Sequence, residues 1–174
     1  MAKIELSNSE IEEIMNALDI AKGECNCYNN IFKKFKEKFP EAIYSKEILM
    51  KGALFHDIGK IAVPDRILNK PGKLTEEEFE QIKIHASEGG KLILQVLEDT
   101  SDQEYIKVAY EVATYHHEKW NGKGYPMGLK EDEIPLSARI MSIADVFDAV
   151  SQKRCYRDAM PLDECFEIIQ KGKG

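Results

Sequence analysis

The stretch Ala53 to Pro64, ALFHDIGKIAVP, sets a histidine beside an aspartate at the end of an apolar run. In a helix starting near Ser45, the positions Ile48, Leu49, Gly52, Ala53 and His56 share one face, so His56 is expected to point inward. Asp57 lies one step round, on the line of Leu49, where an ionised carboxylate is costly without a cation or a hydrogen-bond donor. Whatever fold the chain adopts must bring such a partner to this point. A metal ion would serve. So would the plainer arrangement of a hydrogen-bonded core histidine next to a helix-ending aspartate.

The remaining periodicity is helical. Ser7 and Glu10 form a capping box ahead of a stripe of Ile11, Ile14, Met15 and Leu18. A second helix, ended by Pro40, carries Tyr28, Ile31, Phe32, Phe35 and Phe39 on one face. After Gly59 the prolines and the Pro71-Gly72 pair predict a loop with a short helical turn. Thr75 and Glu78 make another capping box, and Phe79, Ile82, His85 and Ala86 then share a face. Ser87 to Gly90 is expected to break that helix, leaving Lys91 to Leu97 as a separate one. A helix from near Asp102 ends in His116 and His117, directly before EKWNGKGYPMGL, whose glycines and proline predict a structured loop. Leu136 to about Val150 is apolar all round and should be central, with Asp145 and Asp148 on one face with Met141. A short helix, Leu162 to Gln170, follows. No strand alternation is present, so the expected fold is all-α.

Composition limits what such a fold could serve. The formal net charge of -7 argues against a protein that tracks a nucleic-acid polymer. No apolar run is long enough for a bilayer, and the opening MAKIELSNSEIEEI lacks a signal-peptide pattern, so a cytoplasmic protein without a membrane partner is expected. Cys25, Cys27, Cys155 and Cys165 make no zinc-knuckle spacing and read mostly as free thiols.

The chain's four histidines all fall on, or at the end of, core-facing helical stripes, together with Asp57 and Asp145. Imidazoles mixed with carboxylates suit first-row transition ions, and a carboxylate can bridge two of them. Two ions about 3.5–4 Å apart are the usual clamp for phosphate-ester cleavage.

HDIGK, KPGKLTEEEFEQIKIH, HHEKWNGKGYPMGL and IPLSARIMSIADVFDAVSQKRCYR, in that order, resemble the HD-GYP family of HD-domain metal-dependent phosphohydrolases, the bacterial cyclic di-GMP phosphodiesterases. The likeness runs from about Ile48 to Arg157. It implies an HD-domain-like helical bundle around a metal site, as a single domain over 1–174 with divergent N-terminal helices over about 1–44. It further implies that His56, Asp57, His85, His116, His117 and Asp145 are metal ligands, with Asp57 bridging. Lys60 matches the family's phosphate-contacting lysine, Gly124, Tyr125 and Pro126 its naming motif, and Arg154 and Arg157 its basic substrate contacts. Two or three iron or manganese ions, with metal-bound hydroxide attacking a cyclic dinucleotide, are the implied cofactors and chemistry.

Two departures stand out. The family has a further histidine on an early helix, and this chain has none before His56. Ungapped alignment of the Tyr28–Phe39 stripe puts Glu24 in its place; a one-residue shift puts Cys25 there, with Cys27 near. The C-terminal end is also shorter than the family's, which would leave an apolar face for a second copy or a partner protein to cover. These departures motivate alternative readings: a degenerate domain that binds a nucleotide or a protein without turnover, or an HD phosphohydrolase for another nucleotide.

Overall fold

The computed structural model describes residues 46–151 together with Met160 and Glu164. The helices expected before Ser45, and that from Leu162 to Gln170 apart from Glu164, lie outside the described residues. Within them the chain runs through α1 (Lys46–Ala53), a 3-10 helix (Ile58–Ala62), α2 (Asp65–Leu68), α3 (Glu76–Val96), α4 (Gln103–Tyr115), a 3-10 turn (Glu131–Glu133) and α5 (Leu136–Ser151). Among the described residues the only β pairing is an isolated bridge between Asn121 and Lys130. No helix among them is long and apolar enough to cross a membrane.

Side-chain caps set two helix starts. Thr75 accepts from the Glu78 amide at 3.2 Å while the Glu78 carboxylate accepts from the Thr75 amide at 2.8 Å, completing the capping box at α3. Asp102 caps α4 by accepting from the Tyr105 amide at 3.0 Å.

Two expectations are corrected. First, α3 is continuous through Ser87 to Gly90. Gly89 and Gly90 serve close packing there: a Cβ on Gly90 would overlap the Thr114 hydroxyl of α4. Tertiary contact outweighs the helix-weakening tendency of glycine, which is only about 1 kcal/mol per residue. Among the described residues α4 packs against α1, α3 and α5. Its Val108 and Val112 join Leu49 of α1 and Met141 of α5 in one apolar cluster, and its Ala109 and Ala113 join Ile93 of α3 in another. Second, α1 stops at Ala53, so His56 and Asp57 sit in the turn that follows and not on the helix itself.

A buried polar pair ties α4 to α5. Ser137, fully buried, donates to the Glu111 carboxylate at 2.6 Å. On the other side, Gly59 lets the 3-10 helix settle on α3, where a Cβ would overlap the His85 carbonyl oxygen. That docking brings Asp57 and Lys60 up to His85.

Candidate metal centre

Four chain segments meet at one end of this bundle. The turn after α1 supplies His56 and Asp57, α3 supplies His85, the C-terminal end of α4 supplies His116 and His117, and α5 supplies Asp145. One ligand atom from each of Asp57, His85, His116 and His117 lies within 4.8 Å of all the others. Around this group, His56 Nε2 stands 3.2 Å from Asp57 Oδ2 and 4.0 Å from Asp145 Oδ1. His85 Nε2 stands 3.6 Å from Asp57 Oδ1. The two oxygens of Asp57 thus face two different imidazoles.

The imidazoles are held by the backbone that carries them. Nδ1 of His56 donates to the Ala53 carbonyl at 2.8 Å, Nδ1 of His85 to Ile82 at 2.6 Å, and Nδ1 of His116 to Val112 at 2.8 Å. A carbonyl can only accept, so in each ring Nδ1 carries the proton. For a neutral ring the lone pair is then on Nε2, which points into the cluster.

Electrostatics keeps most of these rings neutral. Burial pushes the His116 pKa down to about 4, helped by the neighbouring His56 and His85. Burial also lowers His117 and His85, His117 with help from His116. His56 goes the other way: burial disfavours its charge, but the hydrogen bond with Asp57 and the Ala53 carbonyl together raise its pKa. Burial likewise resists ionisation of Asp57, yet hydrogen bonds from His56 and Lys60 hold it well below the ordinary carboxylate range. Asp145 is raised, chiefly by burial, with His56 opposing.

Whether these residues suit a metal can be judged from their unsatisfied atoms. Nε2 of His85 and of His116 are buried and have no hydrogen-bond partner. In the neutral His85 ring that atom is an acceptor facing a carboxylate oxygen, itself an acceptor. A cation among these atoms removes both the repulsion and the unmet lone pairs. Neutral imidazoles with carboxylates are also the donor set of iron, manganese and zinc sites. The residues fit such an ion.

Lys60 ion-pairs with Asp57 at 2.5 Å and remains substantially exposed. Gly124, Tyr125 and Pro126 lie in the loop after α4, with a cis peptide between Tyr125 and Pro126. The Tyr125 ring stacks on His117 at 4.8 Å and 30°. Burial raises the Tyr125 pKa, so its hydroxyl keeps its proton. Phe79 is half-exposed rather than on the buried face, edge-on to Tyr125 at 6.3 Å. Trp120 is also half-exposed, with the Arg139 guanidinium 5.7 Å from its ring. Asp148 contributes to the raised pKa of Asp145. Glu24, Cys25, Cys27, Arg154 and Arg157 lie outside the described residues.

Sequence reasoning passed over Glu118. Only 3% exposed, it accepts from the amides of Met127, Gly128 and Leu129 at 2.7, 3.1 and 3.0 Å. The available signal was an acid placed just before a glycine-rich loop, whose free amides need an acceptor.

A family model described as HD domain matches residues 38–174. Among curated proteins, a probable cyclic di-GMP phosphodiesterase of Vibrio cholerae is 52% identical over 126 residues, 71% of this chain and 28% of the relative. A cyclic di-GMP phosphodiesterase of Thermotoga maritima is 47% identical over 122 residues, 70% of this chain and 32% of the relative. A 3'3'-cGAMP-specific phosphodiesterase of Vibrio cholerae is 34% identical over 98% of this chain and 32% of the relative. The chain spans at most about a third of the length of these relatives.

Proposed function

The chain belongs to the HD-domain family, and from that premise we propose that it is a metal-dependent phosphodiesterase of cyclic di-GMP or a related cyclic dinucleotide. The observation that carries this is the convergence of four imidazoles and two carboxylates, two of the imidazole nitrogens being buried without a hydrogen-bond partner. The names of the relatives support the substrate class.

In this reading His56, Asp57, His85, His116, His117 and Asp145 hold two or three ions, iron or manganese, with Glu24 as an added ligand. Such ions, when bound, supply Lewis acidity at the phosphate and an activated water. The chain's own residues position and steady the substrate. Asp57, whose oxygens face His56 and His85 separately, is the natural shared ligand. Lys60 holds an ammonium at the rim of the cluster, where it can meet a phosphate oxygen. Tyr125 keeps its hydroxyl proton and can donate to substrate, and the Gly124-Tyr125-Pro126 loop closes one side. Arg154 and Arg157 would add charge opposing that of the dinucleotide. The same reading puts the protein in the cytoplasm.

Anaerobic purification followed by metal analysis tests the site. Hydrolysis of cyclic di-GMP and 3'3'-cGAMP, assayed side by side, tests the activity. Bound transition metal and turnover that disappear together in His116→Ala are expected. Metal-loaded protein that binds either dinucleotide without cleaving it would instead favour a binding module.

A further inference from the structure

His117 differs from its three fellow histidines. His56, His85 and His116 each have Nδ1 fixed by a backbone carbonyl. Among the described residues no hydrogen bond reaches the His117 ring, which instead lies under the stacked ring of Tyr125 at 4.8 Å. Tyr125 is joined to the same histidine through its backbone, its amide donating to the His117 carbonyl at 3.2 Å. The loop beyond Tyr125 is gathered by one carboxylate. Glu118, next in sequence to His117, accepts from three consecutive amides at Met127, Gly128 and Leu129. Gly124 completes the closure, because a Cβ there would overlap the Glu118 and Lys119 backbone.

We propose that Glu118 is a positioning residue for the metal centre: it clamps the loop so that the Tyr125 ring holds the His117 imidazole, replacing the carbonyl anchor the other three histidines have. Metal-ligating histidines need an outer partner to fix ring orientation, and losing one commonly weakens metal binding about 10–100-fold. Here a stacked ring does that work, and Glu118 acts through it. The inference rests on reading His117 as a ligand.

The test uses metal-stripped full-length chain titrated with Mn2+ by calorimetry, with far-UV circular dichroism to verify helix content. Glu118→Gln and Tyr125→Ala should each weaken Mn2+ binding by about 10–100-fold. Tyr125→Phe, which keeps the ring, should retain wild-type Mn2+ affinity. The double variant Glu118→Gln/Tyr125→Ala should be no weaker than the worse single, since both remove one support. Emission of Trp120, the chain's one tryptophan and part of the same loop, should shift in Glu118→Gln even without metal.

Multiplying effects in the double variant, or normal Mn2+ binding by a well-folded Glu118→Gln, would overturn the proposal. If Glu118→Gln folds poorly, Tyr125→Ala against Tyr125→Phe decides, and equal Mn2+ affinities overturn it. Mn2+ binding weakened by His117→Ala but not by these variants defeats this inference alone. Binding indifferent to His117→Ala defeats the ligand reading as well.

Discussion

Gly59→Ala should damage the fold and the metal centre together, because Gly59 is where the segment carrying Asp57 and Lys60 rests on α3. A Cβ there would overlap the His85 carbonyl oxygen and stand 2.5 Å from the Gly89 nitrogen and 2.8 Å from the His85 carbonyl carbon, where ordinary contact begins near 3.4 Å. All three atoms are backbone, so no rotamer change relieves the clash. The 3-10 helix must retreat by on the order of 1 Å, a large shift in a close-packed interior. Overpacking of this kind costs about 3 kcal/mol, a fall in Tm of about 6–12 °C for a domain of this size. Asp57 lies two residues before Gly59 and would move with it, away from its 3.6 Å approach to His85. Mn2+ affinity should therefore drop at least about tenfold, as misplacing a ligand by 1 Å does elsewhere. Thermal melts of apo-protein and Mn2+ titration measure the two effects. Gly72→Ala is the control: its φ of 126° makes alanine strained, but an added Cβ there meets nothing within 4 Å. It should lose about 1–3 kcal/mol of stability with Mn2+ affinity intact. A Gly59→Ala protein with Tm within about 1 °C of wild type and unaltered Mn2+ affinity would refute the docking argument.

Three further outcomes follow from the same geometry. Chelation of bound metal should lower Tm by about 5–11 °C when free metal had stood at 100 times its Kd, since such an excess is worth about 2.7 kcal/mol; an unchanged melt would mean that the cluster holds no ion in the folded state. Lys60→Ala should reduce kcat/KM for a cyclic dinucleotide by about 10–100-fold, the worth of a charged hydrogen bond, while metal stoichiometry by elemental analysis stays at the wild-type value. Ser137→Ala removes the 2.6 Å donor to buried Glu111 and should cost about 1.5–3 kcal/mol in urea unfolding, without affecting Mn2+ affinity.

Much of this arrangement is legible in the sequence, and the misreadings have physical causes. Thr75 with Glu78, and Asp102 ahead of Tyr105, mark helix starts because their side-chain oxygens satisfy amides that nothing else reaches. The residues of the candidate metal centre are legible as residue types at core-facing positions. No break occurs at Ser87 to Gly90 because the local helix-weakening of glycine is outweighed by the contact that Gly90 permits with Thr114, a residue remote in sequence. His56 does face inward, but helix periodicity is not the cause: the turn after Ala53, with the ring caught on the Ala53 carbonyl, directs it there. Glu118 was missed because its role depends on a loop folding back ten residues later, which no periodicity records.

The helix ends explain why this corner of the bundle favours cations. The α1 turn that carries His56 and the end of α4 that carries His116 are both helix C-termini, where carbonyl oxygens without helical partners leave a partial negative charge. Ala53 and Val112 use such carbonyls to hold His56 and His116, so these two rings are aimed by the backbone groups that make the local field negative. Asp57 and Asp145 add to that field. A dinucleotide phosphate approaching such a site would be repelled unless positive charge stood between, and among the described residues Lys60 is the cation paired directly with the cluster. One ammonium, even with a protonated His56 ring beside Asp57, does not balance two carboxylates and two helix ends. In the proposed function, the histidine and aspartate placement that makes the site costly when empty would therefore make metal binding the step that prepares it for an anionic substrate.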